Sequence, residues 1–207
     1  MEVTIVGTGN MARGIATRAL AGGHTVTLLG RSAENAQALA AELSGDVRAG
    51  MSGDPLGGEV VVLAVWYPSL ADVLATYQGQ LDGKVVVDIT NTIDPQAFEP
   101  LTIEAGSAAQ EIAAAVPGAR VVKAFNTTFA GTLVEGHVAG QPLDVLMASD
   151  DAGAKETVGQ LARDGGLRPV DAGPLTRARE LEALGFLHMA VQGSLGTGFA
   201  SAVKFLP

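Results

Sequence analysis

Cysteine is absent from all 207 residues, which removes disulfides, thiolate nucleophiles and cysteine-ligated metals from consideration. Histidine is scarce. His24, His137 and His188 are the three, and none stands at metal-ligand spacing from another histidine or from a carboxylate. No metal site is expected, each histidine reads as structural or solvated, and no G-x-S-x-G nucleophile elbow occurs. Long apolar runs are missing too, since Val60–Trp66 falls well short of the ~20 residues a membrane-spanning helix needs. Positive charge is in deficit, 13 Lys and Arg against 22 Asp and Glu for a net charge of −9. Neither nucleic acid nor an anionic membrane surface is an expected partner. Because the first strand begins almost at Met1, no leader is expected ahead of the fold, and a cytoplasmic location is the default.

What is present describes a compact globular chain, 47% hydrophobic and 17% charged. Its length supports a full core, read as one domain or one large domain with a small appendage. Strand and helix patterns alternate: strand 3–6, helix 10–22, strand 25–29, helix 33–43, a short strand near 46–49, strand 60–65, helix 69–77 and strand 85–89. That rhythm predicts an α/β fold, a Rossmann-type, doubly wound and mostly parallel sheet. Segment 93–106 carries two prolines and is expected to be a loop, followed by a helix from Ser107 to Ala115 and strand 120–125. Beyond it come a loop at 126–132, strand 144–148, helix 152–164 and strand 167–171. Segment 174–206 reads as mainly helical, interrupted by Gly193, Gly196 and Gly198. Residues 1–125 are expected to form a dinucleotide domain and 126–207 a smaller C-terminal part that completes the sheet.

The densest information lies in residues 3–32, VTIVGTGNMARGIATRALAGGHTVTLLGRS. A strand, a glycine-rich turn and a helix follow one another, the order a dinucleotide site requires: backbone N–H groups must approach a pyrophosphate at a helix start. Gly7 permits the tight turn, Gly9 leaves room for the pyrophosphate, and Ala12 takes the third small position of a G-x-G-x-x-A fingerprint. In a chain with 27 glycines the spacing alone is weak, so the strand before it and the helix after it carry the weight. An NAD site usually places Asp or Glu after the second strand, where it would repel a 2′-phosphate. Here Gly30, Arg31 and Ser32 follow, and both side chains suit a phosphate, which favours NADP(H). Ser32 also fits as the N-cap of the next helix, a role compatible with phosphate binding.

Ligands of such sheets lie beyond the carboxyl ends of the strands, which selects Gly7–Met11, Arg31–Ser32, Trp66–Pro68, Thr90–Thr92 and Asn126–Thr128. Trp66 and Tyr67 either flank a ring-bearing ligand or form a packing lid. Asp150 and Asp151 read as charge at a helix N-terminus. No strong acid or base is evident in these loops. Carbonyl or imine reduction would call for a proton source, with Lys123, Tyr67 and His188 the candidates. Hydride exchange between two cofactors needs mainly face-to-face positioning.

The stretches GTGN at 7–10, VVKAFNT at 121–127, GLRPVDAGPL at 166–175 and VKFL at 203–206 resemble those of the NADPH-dependent coenzyme F420 reductases. The resemblance implies reversible hydride transfer between NADP(H) and the deazaflavin coenzyme F420, with no catalytic side chain. It implies cofactor contacts at Gly7, Thr8, Gly9, Asn10, Met11, Arg31, Ser32, Tyr67 and Asn91. The deazaflavin would lie against Trp66, Asn126, Thr127, Thr128 and the tail around Ser201, covered by the C-terminal part. A homodimer is a further implication. Trp66-Tyr67-Pro68 and Asn126-Thr127-Thr128 depart from the family's Pro-Trp order and His-Thr-apolar run. Competing readings are an NADPH-dependent reductase of another small molecule (a flavin, metal, carbonyl or imine) and a non-catalytic NADP(H) sensor.

Overall fold

The computed structural model describes residues 1–206. In chain order, β1 (Glu2–Val6), α1 (Asn10–Ala21), β2 (Thr25–Gly30), α2 (Ala33–Glu42) and β3 (Val47–Met51) form the first βαβαβ unit. β4 (Val60–Leu63) runs through a 3-10 turn at Tyr67–Ser69 into α3 (Leu70–Thr76) and then β5 (Val85–Asp88). A small hairpin of β6 (Ile93–Asp94) and β7 (Glu99–Pro100) precedes α4 (Ala108–Ala115) and β8 (Arg120–Lys123). There follow α5 (Ala130–Glu135), a second hairpin of β9 (His137–Val138) and β10 (Gln141–Pro142), β11 (Asp144–Ala148), α6 (Ala152–Asp164) and β12 (Arg168–Gly173). A 3-10 turn at Leu175–Arg177 leads into α7 (Ala178–Ala190) and α8 (Gln192–Leu195).

Eight strands form one sheet in the order β12-β11-β8-β5-β4-β1-β2-β3. The six strands from β3 across to β8 are mutually parallel. β11 meets β8 antiparallel through the Ala148–Lys123 pair, and β12 lies parallel to β11. Helices cover both faces, so the central strands β4 and β5 are buried at every position and read VVVL and VVVD. On one face Ile15, Ala16, Leu133, Val158 and Leu161 pack against Val3, Ile5, Val62 and Val122. On the other, Leu70, Leu74, Ile112 and Ala178 cover Val61, Leu63, Val86 and Val121. The chain winds outward in opposite directions from β1 and β4, which places a crevice at their carboxyl ends.

Several elements differ from the sequence expectation. The segment 126–132, expected as a loop, contains the start of α5 at Ala130. Its Gly131, Thr132 and Val134 are poor helix formers, and the helix exists because it packs on α1. A Cβ at Gly14 of α1 would come within 2.8 Å of Leu133 Cβ and 2.9 Å of the Ala130 carbonyl. The loop at 93–106 contains the β6–β7 hairpin, whose turn is held by Asp94 Oδ1 accepting from the Gln96 and Ala97 N–H groups. Helical structure in 174–206 stops at Leu195. Gly196 and Gly198, at φ +62° and +58°, turn the chain away and residues 196–206 run without regular structure. Helix 69–77 is α-helical from Leu70 to Thr76, entered by the 3-10 turn that Pro68 favours.

Candidate dinucleotide and ring-binding site

The turn after β1 is built for close approach. Gly7 sits at φ +125°, and a Cβ there would lie 2.2 Å from the Ala64 carbonyl at the end of β4. Its N–H donates to Leu29 O at 2.8 Å, tying the turn to β2. Gly9 is the N-cap of α1 and supplies no side chain to the first-turn N–H groups. A Cβ on Gly9 would meet nothing within 4 Å, so the α1 N-terminus is an uncovered anion cradle. Thr8, Gly9, Asn10, Arg13 and Asn35 line a shallow depression running from it toward α2. Met11 is half-buried and packs on the core below.

At the end of β2, Gly30 is demanded by its surroundings, because a Cβ would sit 2.7 Å from Thr8 Cγ2. Arg31 is exposed. The Ser32 hydroxyl oxygen accepts from Asn35 N–H at 3.3 Å, so Ser32 caps α2 and keeps its own proton for another acceptor. Arg31 and Ser32 thus flank one side of the glycine turn.

The other side of the crevice holds the residues after β4, β5 and β8. Trp66 is 65% exposed. Tyr67 donates its hydroxyl to Glu111 Oε2 at 2.8 Å. Burial, and then that carboxylate, push its ionisation up to about 12. Asn91 and Asn126 are joined twice: Asn126 Nδ2 donates to Asn91 Oδ1 at 2.9 Å, and Asn91 Nδ2 to Asn126 O at 3.3 Å. Asn126 Nδ2 also donates to Leu181 O of α7 at 2.8 Å, while its buried Oδ1 has no partner among the described residues. The Thr128 hydroxyl turns inward to Phe125 O at 2.7 Å, closing a turn in which the buried Phe125 stands at φ +61°. Thr127 O accepts from His188 Nδ1 at 3.1 Å, which leaves Nε2 of the neutral ring to accept from the Ser201 hydroxyl at 2.9 Å. Burial holds the His188 pKa below its ordinary value, with the Thr127 carbonyl opposing. Thr127 and Ser201 are therefore linked through one imidazole, as Asn91 and Asn126 are linked directly.

Beneath these loops lies a cluster of charge that sequence reasoning missed. Lys123 ends β8 and is fully buried. Its ammonium donates to Asp88 Oδ2 at 2.8 Å, to Glu182 Oε1 at 2.7 Å and to the Thr90 carbonyl. Asp88 Oδ1 accepts from both the N–H and the hydroxyl of Thr90 at 2.8 Å. Glu182 Oε2 accepts from the Thr92 hydroxyl at 2.8 Å, and Oε1 from Ala108 N–H at 3.0 Å. All three ammonium protons of Lys123 are occupied, which removes it from the candidate proton donors. The signal available was a carboxylate and an ammonium ending the valine-rich runs VVVD and RVVK, which the parallel register sets side by side. Glu182 carried no signal, since ARELEALG reads as an ordinary solvated helix start. Elsewhere, Asp151 caps α6 through Ala154 N–H as expected, whereas Asp150 accepts from Leu175 N–H and so ties the end of β11 to the 3-10 turn before α7. His24 is buried between the Met1 amine and Asp164.

The family model described as NADP oxidoreductase, coenzyme F420-dependent, matches residues 2–92. The F420-dependent NADP reductase of Methanothermobacter thermautotrophicus is 32% identical over 202 residues, 89% of this chain and 86% of that protein. Metalloreductase STEAP3 of Rattus norvegicus is 31% identical over 183 residues, 88% of this chain. The chain spans only 36% of that relative's length. The crystal structure of a candidate F420-dependent NADP reductase from Arthrobacter sp. FB24 superposes with a TM-score of 0.87 at 29% identity, covering 99% of both chains.

Proposed function

The chain belongs to the coenzyme F420-dependent NADP oxidoreductase family, and from that premise we propose that it transfers a hydride between NADP(H) and coenzyme F420. The observation that carries this reading is an open anion cradle at the start of α1 combined with a ring end in which every candidate proton donor is already engaged. Lys123 is saturated by three acceptors, and the Tyr67 hydroxyl is committed to Glu111 and resists ionisation up to about 12. Neutral His188 spends its one N–H on Thr127 O. A carbonyl or imine reductase would need one of them free. Two redox cofactors bring their own hydride chemistry, between C4 of the nicotinamide and C5 of the deazaflavin, and ask the protein for alignment and for exclusion of water.

In this reading the first-turn N–H groups after Gly7, Thr8 and Gly9, with Asn10 and Met11, hold the pyrophosphate. Arg31 and Ser32 take the 2′-phosphate, which prefers a guanidinium fork and a hydroxyl donor to the carboxylate of an NAD site. Tyr67 and Asn91 border the nicotinamide half. Trp66, Asn126, Thr127, Thr128 and Ser201 border the deazaflavin. Residues 1–125 then act as the NADP-binding part, and 126–207 as the part that completes the sheet and covers the second ligand. The working form we propose is a cytoplasmic homodimer.

Anaerobic mixing with NADPH and oxidised F420 tests the reading through loss of the deazaflavin's visible absorbance, with free flavins as controls. Enzyme-dependent bleaching of F420 is expected, with slower turnover of flavins. Intact NADPH binding without F420 bleaching would overturn it.

A further inference from the structure

Helix α7 has an inner face that touches the ring end of the site at three successive points. Leu181 O receives Asn126 Nδ2 at 2.8 Å. Glu182 reaches Thr92, Ala108 and Lys123. Gly185 lies so close that a Cβ there would be 2.8 Å from both Asn126 O and Asn91 Oδ1. The segment Thr90–Thr92 is gripped from below as well, since Asp88 holds the N–H and hydroxyl of Thr90 and Lys123 holds its carbonyl. Asn91 is thus suspended between two residues that are each fixed to the buried Asp88–Lys123–Glu182 cluster. An arrangement this costly in desolvation is weak evidence for stability alone, and its bonds converge on one short loop.

We propose that Glu182 is a positioning residue: through Thr92 and Lys123 it fixes the Asn91–Asn126 pair, and with it the placement of the nicotinamide ring, while leaving the affinity for the cofactor's phosphate end untouched. The inference rests on the reading of Asn91 and Asn126 as the ring end. It separates two parts of the site that lie on different elements, the phosphate end on β1, α1 and β2 and the ring end on a loop braced by the C-terminal helix. Loss of Glu182's grip should then appear in the hydride step rather than in binding, because small misplacements of reacting atoms cost rate far more than affinity.

Thr92→Val is the sharpest variant. It deletes the Thr92–Glu182 bond at a half-buried position and leaves the Lys123 ion pairs intact. Glu182→Gln and Gly185→Ala disturb the same loop from α7. The readouts are kcat at saturating NADPH and F420, the NADPH Kd from direct titration, and the emission of bound NADPH, which reports the ring's surroundings without turnover. Expected for Thr92→Val are a kcat lower by about tenfold or more, a Kd within about twofold of wild type and an altered bound-NADPH emission, with Thr92→Ser restoring all three. Folded Thr92→Val with wild-type kcat and emission would overturn the proposal, as would a loss confined to Kd. Should wild type bleach no F420, an altered emission in Thr92→Val at unchanged Kd still supports the positioning role, so failure of the activity and failure of the inference are separable.

Discussion

Gly7 and Gly9 stand two residues apart and differ entirely in what a side chain would meet. At Gly7 the φ of +125° and the Ala64 carbonyl 2.2 Å from an added Cβ make any substitution a folding defect. Gly7→Ala should lower stability by about 2 kcal/mol or more, read by chemical denaturation. At Gly9 the backbone is extended at φ −83° and the space beyond is open. Gly9→Val replaces a favourable N-cap with an unfavourable one, so it should fold with a stability loss of about 1 kcal/mol, and it should lose NADPH binding if the α1 N-terminus holds the pyrophosphate as proposed. A Gly9→Val protein that binds NADPH normally would show that the α1 N-terminus does not hold the cofactor. Arg31→Ala makes the parallel test of cofactor choice. A charge-assisted phosphate contact contributes about 1.5–3 kcal/mol, so NADPH affinity should fall roughly 10- to 100-fold while NADH affinity stays nearly constant. Equal losses would show that Arg31 does not read the phosphate. The glycine turn and the Gly30-Arg31-Ser32 stretch were legible because both lie within one local βαβ unit, whereas the Ala64 carbonyl that confines Gly7 comes from the end of β4 and becomes its neighbour only in the folded sheet.

At the scale of elements, the far end of the tail after α8, at Lys204 and Phe205, is held by one buried side chain, while Ser201 is held separately by His188 and Gln192. Asp144 at the start of β11 is fully buried; it pairs with the Arg168 fork and Lys204, and accepts from Phe205 N–H at 3.0 Å. Burial pushes its pKa up, but the Arg168, Lys204 and Phe205 bonds outweigh burial and hold it near 2 against an ordinary 3.8. The folded pKa is the lower one, so the unfolded chain binds more protons between those values. The stabilisation is complete above about pH 4 and is lost as pH falls through 2, by about 2 kcal/mol at most, given that Arg168 is partly exposed. Asp144→Asn should be less stable than wild type at pH 7, and the gap should narrow on acidification, followed by urea unfolding from pH 5 to 2. A pH-independent gap would mean the carboxylate's charge is not what binds the tail. The sequence did not disclose this strap, because Asp144 reads as a strand start and its partners at 168, 204 and 205 become neighbours only in the folded sheet. α5 was hidden for a related reason: its weak propensity is overridden by the contact with Gly14. The buried Asp88–Lys123–Glu182 cluster joins two strand ends visible in sequence to a helix whose inward turn was not.

For the molecule as a whole, α7 is a two-sided element. Leu181, Glu182, Gly185 and His188 face inward and are buried, whereas Ala183, Leu187 and Ala190 are exposed and Phe186 half-exposed. The outer positions follow a 3–4 spacing and form an apolar stripe. Phe98 extends it, packing on Phe186 at 5.5 Å between ring centroids, and Leu187 is 57% exposed. A single exposed leucine is ordinary, but a continuous stripe on a helix whose opposite face braces the ring end is a surface that water covers poorly. A homodimer through α7 would bury it and stiffen the helix that carries Glu182 and Gly185, coupling assembly to the geometry of the site. A standard interface removes about 800 Å² per partner, more than the stripe alone supplies, so further exposed apolar residues such as Leu195, 54% exposed, would have to take part. Light scattering on wild type should give the mass of two chains. Leu187→Glu should give one chain, with helical circular dichroism unchanged and kcat lowered more than NADPH affinity. A dimer that survives Leu187→Glu would move the interface off α7, and a wild-type monomer would rule out a homodimer through the stripe.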